Sequence, residues 1–500
     1  MADDTLCDLT ALDLRRLIGA KQISATELLD ACLARIERIN PAINAMVAMD
    51  IPAARQAAAA TDQAVRAGAP LGVLAGLPIG IKDLEETANL RTTWGSPLFE
   101  HHVPKADQRS IAAIRAAGAV IVGKTNVPEW GAGANSVNKV YGATGNPFDV
   151  ERTAAGSSGG SAAALACGLT PIATGSDTGG SLRNPAAFCG IVGYRPTAGL
   201  VPDERRGHGW NVLSVLGPMA RNVPDAALLL SAMAGDDARD PLAPRVIDRL
   251  FPLDEVDLSS LRVAFSADMG FAPTCQAYRK LFADRHARMK GLFKEAPEAT
   301  PDMTDADMAF EVLRAAGFLA KHLPVYRDPS RRNMLGPNII ANVEEGLRYT
   351  LEDFSRAHTA QTAIYRRFQA FFDEFDLLVT PGITVPPFAW TTLYPAEIDG
   401  AKVRTYFHWL ALSYGVTLTG HPTICIPCGV DADGLPFGIQ IVGPRNGDAF
   451  LLAAAAAIER ELAKSPATAR PVPDLAKLAA LPPLQARSIE ALRPVLYATA

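Results

Sequence analysis

The chain has 500 residues, 48% of them hydrophobic and 20% charged, and a formal net charge of −5. That length exceeds one ordinary core, and the composition is that of a folded globular protein, not a disordered or fibrous one. A slight acid excess with no long run of one sign excludes an electrostatic footprint for nucleic acid or for an anionic membrane surface.

The opening residues, MADDTLCDLTALDLRRLIG, carry acids early and no apolar stretch behind a basic start, so no targeting signal is read and a cytoplasmic location is expected. Ser24 and Glu27 form a capping box for an amphipathic helix that runs through Ile39 to a stop at Asn40–Pro41. Residues 52–67 follow as an Ala-rich helix. LPIGIKD (77–83) is a short apolar run ending in charge and reads as a buried strand. Residues 107–117 have helical spacing through Ile111 and Ile114, and AVIVG (119–123) is a β-branched strand. ERTAAGSSGG (151–160) reads as a loop, SAAALACG (161–168) as a helix of small residues and TPIATG (170–175) as a strand. SDTGGS (176–181) is a second Gly loop, LRNPAAF (182–188) a short helix and IVGYRPT (191–197) a strand. Residues 218–235 read as one helix and LRVAF (261–265) as a strand. Residues 276–372 are mostly helical. FDLLVTP (375–381), PTICIPCG (422–429) and FGIQIVG (437–443) return to sheet before an Ala/Leu helix over 449–463. This alternation predicts an α/β protein, a large mixed twisted sheet covered on both faces by helices. It is expected as one domain over 1–465, with a catalytic core at 70–235 and a substrate-shaping helical insertion at about 276–372. Residues 466–500 are a Pro-rich extension that either wraps the surface or serves a homodimer contact. No apolar stretch approaches the roughly 18–20 residues of a membrane span.

Three short motifs are decoys. Gly118 to Thr125 matches the phosphate-loop pattern by letter, but its variable positions are apolar and form the strand itself, and Pro128 follows where a helix should open. Gly156-Ser157-Ser158-Gly159-Gly160 matches G-x-S-x-G, yet ERTAA before it is no hydrophobic strand, and neither His208 nor His421 has an acid context suited to a triad. Cys425 and Cys428 form a CxxC with no second pair or His cluster. With an odd total of seven cysteines, reduced buried thiols are expected, with no metal and no cofactor.

The informative segment is AGSSGGSAAALACGLTPIATGSDTGGSLRNPAAFCGIVGYRPT, residues 155–197. It closely resembles the signature of the amidase signature family. LAGLPIGIKD (74–83) and IVGKTNVPEW (121–130) resemble that family's other hallmarks, and PTICIPCG and LPFGIQIVG its closing strands. The likeness runs over about 8–235 and resumes over about 360–463. It implies Lys82 as the catalytic lysine, Ser157 as a bridging serine held across a cis peptide bond, and Ser181 as the nucleophile. It further implies Thr178, Gly179, Gly180 and Ser181 as the oxyanion hole, with Asp177, Arg183 and Ser158 in support. Ala155, where the family most often has Gly, and Tyr194-Arg195, where Leu-Lys is common, depart from the pattern away from the chemistry.

The residue types suit those roles. A serine hydroxyl is a poor nucleophile until a base takes its proton. A lysine can be that base if burial disfavours its ammonium form, and Lys82 closes an apolar strand. Glycines around both serine loops let backbone amides converge on a carbonyl oxygen gaining charge. The expected reaction is hydrolysis of a small to medium, apolar amide, aryl acylamide or carbamate through an acyl-enzyme. Trp130, Gly133, Ala134, Trp409 and Tyr414 are the candidate substrate contacts. Aromatic residues of about 310–345 and 385–417 line either the cleft or the core. The resemblance leaves a second role open, the ammonia-supplying A subunit of a glutamyl-tRNA amidotransferase. That protein has an Asp some eight residues before the segment matching Leu418 to His421, whereas here no acid occurs from Ala401 to Val430.

Overall fold

Ten strands form one sheet in a computed structural model that describes residues 4–497. Residues 1–3 of the opening segment and 498–500 of the Pro-rich extension lie outside the described residues. In chain order the strands are β1 (Met46–Met49), β2 (Pro78–Lys82), β3 (Val120–Thr125), β4 (Ile172–Asp177), β5 (Val192–Arg195), β6 (Val215–Ala220), β7 (Val263–Phe265), β8 (Leu377–Pro381), β9 (Thr423–Val430) and β10 (Pro436–Val442). Their spatial order is β1-β3-β2-β4-β6-β5-β9-β10-β8-β7. β2 runs parallel to β3 and β4, and β7 parallel to β8; the other pairs are antiparallel. β2, β3, β6, β8 and β10 are buried at every position. Consecutive burial means both pleat faces are covered, which is why these strands are near-continuous apolar runs.

The principal helices are α1 (Ala25–Ile43), α2 (Gly159–Ala166), α3 (Arg183–Cys189), α4 (Val223–Met233), α5 (Ala306–Arg327), α6 (Pro337–Gly346), α7 (Leu351–Glu374), α8 (Ala411–Thr419), α9 (Asp448–Leu462) and α10 (Leu484–Leu496). α1 opens on the Ser24/Glu27 capping box and runs past Pro41 to Ile43, where Asn44 takes a left-handed conformation. α2 and α3 are buried throughout and pack on the central strands, α2 through almost uniformly small side chains. A Cβ on Gly160 would collide with the backbone amide of Asn126.

Two expectations about elements are corrected. Residues 218–220 belong to β6, paired with β4 from Val215↔Asp177 to Ala220↔Ile172. The helix begins after Asn222, whose side chain accepts from the Asp225 amide. Arg221 and Asn222 break the apolar run at the junction, and the Asn222 cap with Pro224 behind it starts the helix there. Likewise Asp149–Thr153 is a short strand paired with Gly145–Asn146, not loop. In the Pro-rich extension, α10 packs Leu484 and Leu492 against Val137 and Trp390, and Ser488 Oγ accepts from the Ala143 amide at 2.9 Å. Among the described residues no helix is long and apolar enough to cross a membrane.

Candidate active site

β2, the loop before α2 and the loop between β4 and α3 meet at one point. Lys82, the last residue of β2, is fully buried. Its Nζ lies 2.8 Å from Ser157 Oγ, 2.8 Å from Ser158 Oγ and 2.8 Å from Ser176 Oγ, and also donates to the Ser176 carbonyl at 3.3 Å. A hydroxyl can accept or donate, so this cradle satisfies either an ammonium or a neutral amine with a lone pair. Burial lowers the Lys82 pKa to about 7 against the opposing pull of Glu85 and Asp177, so a large fraction is neutral at neutral pH. Lys124, the lysine of the phosphate-loop decoy, pairs in register with Ile81, not with Lys82, so it projects from the other sheet face. There it donates to the Glu85 carbonyl and to Thr87 Oγ1.

Ser157 follows a cis peptide bond from Gly156. Ser158 occupies the N-cap position of α2 but caps nothing, because its hydroxyl faces Lys82. The Ser158 amide donates to the Ser181 carbonyl at 3.3 Å, which ties the two serine loops together. The Ser181 hydroxyl makes no hydrogen bond to the described residues.

The Ser181 loop is held by a charged knot. Arg183 grips Asp177 with two parallel bonds, Nε to Oδ2 at 3.0 Å and Nη2 to Oδ1 at 2.9 Å. Arg183 also donates to Thr417 Oγ1 and the Ser413 carbonyl on α8, and to Gln440 on β10. Arg195 donates to the Asp177 carbonyl at 2.8 Å and to its Oδ1 at 3.3 Å. Burial alone would raise the Asp177 pKa, but the two guanidiniums hold it far below the usual carboxylate range. Asp177 also accepts from the amides of Gly180 at 3.0 Å and Leu182 at 3.2 Å. One of the four amides expected in the oxyanion hole is thus already bonded in this structure. The Gly180 amide is committed to a buried carboxylate that needs donors, and the Thr178, Gly179 and Ser181 amides are left without an acceptor among the described residues.

The expected substrate contacts divide. Trp130 stacks on Trp94 at 5.5 Å between ring centroids. Its neighbour Gly131 is close enough to Ser157 that an added Cβ would lie 3.4 Å from the hydroxyl. Gly133 faces Asn338 of α6, and the Ala134 backbone packs on Gly156. Trp130, through its neighbour Gly131, and Ala134 border the serine loop, while Gly133 meets only Asn338. Trp409 and Tyr414 do not border the site. Trp409 is sealed between Phe188 and Phe388 with its indole N–H on the Tyr406 carbonyl. Tyr414 is equally buried, bonded to Asp307 and stacked behind Phe310 at 4.4 Å. Phe310 itself reaches the loop: a Cβ on Gly179 would stand 3.3 Å from its Cζ. Sequence reasoning missed Ser176 and Arg195. Ser176 opens the SDTGGS loop at the end of a strand, a signal that could have found it; Arg195 lies in IVGYRPT with nothing local to mark its partner.

Comparison with known proteins adds an independent line. The amidase family profile matches residues 27–452. An acylamidase of Rhodococcus erythropolis is 32% identical over 92% of this chain and 96% of its own length. The A subunit of the glutamyl-tRNA(Gln) amidotransferase of Anaeromyxobacter dehalogenans is 36% identical over 93% of this chain and 99% of its own length. Among solved structures, a bacterial aryl acylamidase of the amidase signature enzymes superposes with a TM-score of 0.85 at 27% identity, covering 95% of this chain and 99% of that one.

Proposed function

The chain belongs to the amidase signature family, whose members hydrolyse carbon–nitrogen amide bonds, and from that premise we propose a free-standing amidase for a small to medium amide with an apolar body. Aryl acylamides and carbamates fall within this class. In this reading Ser181 attacks the carbonyl carbon. Its proton passes to Ser157 Oγ as Ser157 gives its own to neutral Lys82. Negative charge on the carbonyl oxygen falls to the amides of Thr178, Gly179 and Ser181. The relay then runs backward, protonating the amine as the C–N bond breaks, and water hydrolyses the Ser181 ester by the same route.

The observation that carries this reading is the cradle of three hydroxyls at 2.8 Å around a buried lysine whose pKa burial brings to about 7. The absence of any acid from Ala401 to Val430 and the aromatic surroundings of Trp130 and Phe310 favour an apolar amide.

A second reading, the A subunit of a glutamyl-tRNA amidotransferase, draws on the 36% identity to one such protein. One experiment separates the two. The purified chain is offered anilides, aliphatic amides, carbamates and glutamine, with no partner protein and no ATP. Steady release of aniline supports the free-standing enzyme. Silence toward every amide, with glutamine hydrolysis only when partner proteins are added, would transfer the assignment to the second reading.

A further inference from the structure

Helix α5 carries Phe310, Arg314, Phe318 and His322 at four-residue intervals, hence along one face. The two ends of this row touch opposite sides of the candidate site. Phe310 meets Gly179 in the loop that leads to Ser181. His322 packs edge-on against Trp130, 4.9 Å between centroids, and Trp130 adjoins Gly131 beside Ser157. Arg314 is suspended between them.

Its surroundings are those of a cation without a counter-ion. The residue is 8% exposed. Its guanidinium lies over the rings of Phe318, Tyr406 and Phe407, at 4.5, 5.0 and 4.5 Å from their centroids. It donates to Asn342 Oδ1 and the Tyr406 hydroxyl, both neutral. Among the described residues it forms no ion pair, whereas buried Arg183 and Arg195 share Asp177 and buried Arg206 has Asp240. Glu345 acts on it only through space. Burial brings its pKa down to about 9, so it still carries its charge at neutral pH. A guanidinium withdrawn from water without a carboxylate is costly, and such a cost is offset when an anion arrives. The aromatic faces orient the guanidinium fork without neutralising its charge.

We propose that Arg314 is a specificity residue that receives a carboxylate carried on the apolar body of the amide substrate. A helical rise of about 6 Å separates it from Phe310 at the Ser181 loop, which places the carboxylate a few bonds from the scissile carbonyl. The inference rests on the hydrolase reading above and names its substrate class. The carboxylate can sit on the acyl half or on the amine half, and matched probes distinguish them.

The experiment compares glutaric acid mono-4-nitroanilide with valeric acid 4-nitroanilide, and N-butyryl-4-aminobenzoate with butyranilide. It uses the full chain and Arg314→Gln, with Arg314→Lys as the conservative variant. In the wild type, kcat/KM for one charged probe exceeds that of its neutral partner by roughly 10- to 100-fold, the range of a charged hydrogen bond. Arg314→Gln collapses that ratio toward one, and Arg314→Lys restores part of it. A wild-type preference for both neutral probes overturns the proposal and needs no variant to fold. So does a charged-to-neutral ratio that survives Arg314→Gln, which would make Arg314 structural. If neutral anilides are cleaved and the charged ones are not preferred, only this inference fails. If none of the four is cleaved, the hydrolase reading has failed and this one falls with it.

Discussion

Lys82 Nζ stands 2.8 Å from Ser157 Oγ, while the hydroxyl of Ser181 bonds to nothing among the described residues. In the proposed relay the base and the bridging hydroxyl are thus already in contact, and the link to the proposed nucleophile is open. The two serine loops are held side by side through the backbone, the Ser158 amide donating to the Ser181 carbonyl at 3.3 Å.

Ser181→Ala should remove turnover of any amide substrate by at least about a thousandfold, as loss of a nucleophile does. Stability should change by about 1 kcal/mol or less, since the hydroxyl makes no bond to the described residues. Steady-state assay with a thermal melt checks both. Residual turnover near the wild-type rate would mean that another group attacks.

The pH dependence follows from Lys82. A base works only unprotonated, so kcat/KM for a neutral amide should rise with pH through about 7 and level off above it. Ionised Glu85 favours the charged form of Lys82, but burial raises the Glu85 pKa to about 7, so Glu85→Gln should move the acid limb only slightly, and to lower pH. A pH–rate profile of both proteins is the measurement; a limb moving upward would contradict the assignment of Lys82 as base.

Asp177→Asn should be expensive. It leaves two buried guanidiniums, Arg183 and Arg195, without their shared carboxylate, a loss of about 3–5 kcal/mol. The folded carboxyl is depressed below its ordinary value of 3.8, so its stabilisation is full above that pH and fades as pH falls further. Urea unfolding at pH 7 should show the full difference between the two proteins, and the gap should narrow below about pH 4.

Gly180→Ala tests the loop geometry. Gly180 has φ +109°, and an added Cβ would collide with Asn184 Nδ2 and stand 2.5 Å from Ser413 Cβ. The backbone must shift, and with it the Gly179 and Ser181 amides. A fall in kcat of about a hundredfold is expected, comparable to losing one oxyanion donor. Measured at saturating substrate, an unchanged kcat would show that this loop does not set the barrier.

The amino-acid sequence alone carried the strands and the motif loops. β2 and β3 are apolar and β-branched runs, α2 is a helix of small residues, and these properties are local. That Lys82 and the Ser157 loop belong to one site was readable because the motifs lie in order along one linear frame. What lay between distant segments was not readable. The boundary at Ala220 depends on a partner strand, and Arg195 gains its role only when β5 brings it to Asp177. Trp409 and Tyr414 sit in the same aromatic stretch as cleft residues would, yet packing turned them inward. Phe310 reaches the Ser181 loop from a helix far along the chain, and no spacing rule announces it. Hydrophobic period and turn chemistry act between near neighbours, whereas a side chain's surroundings are set by whichever elements close over it, and only the folded chain brings those together.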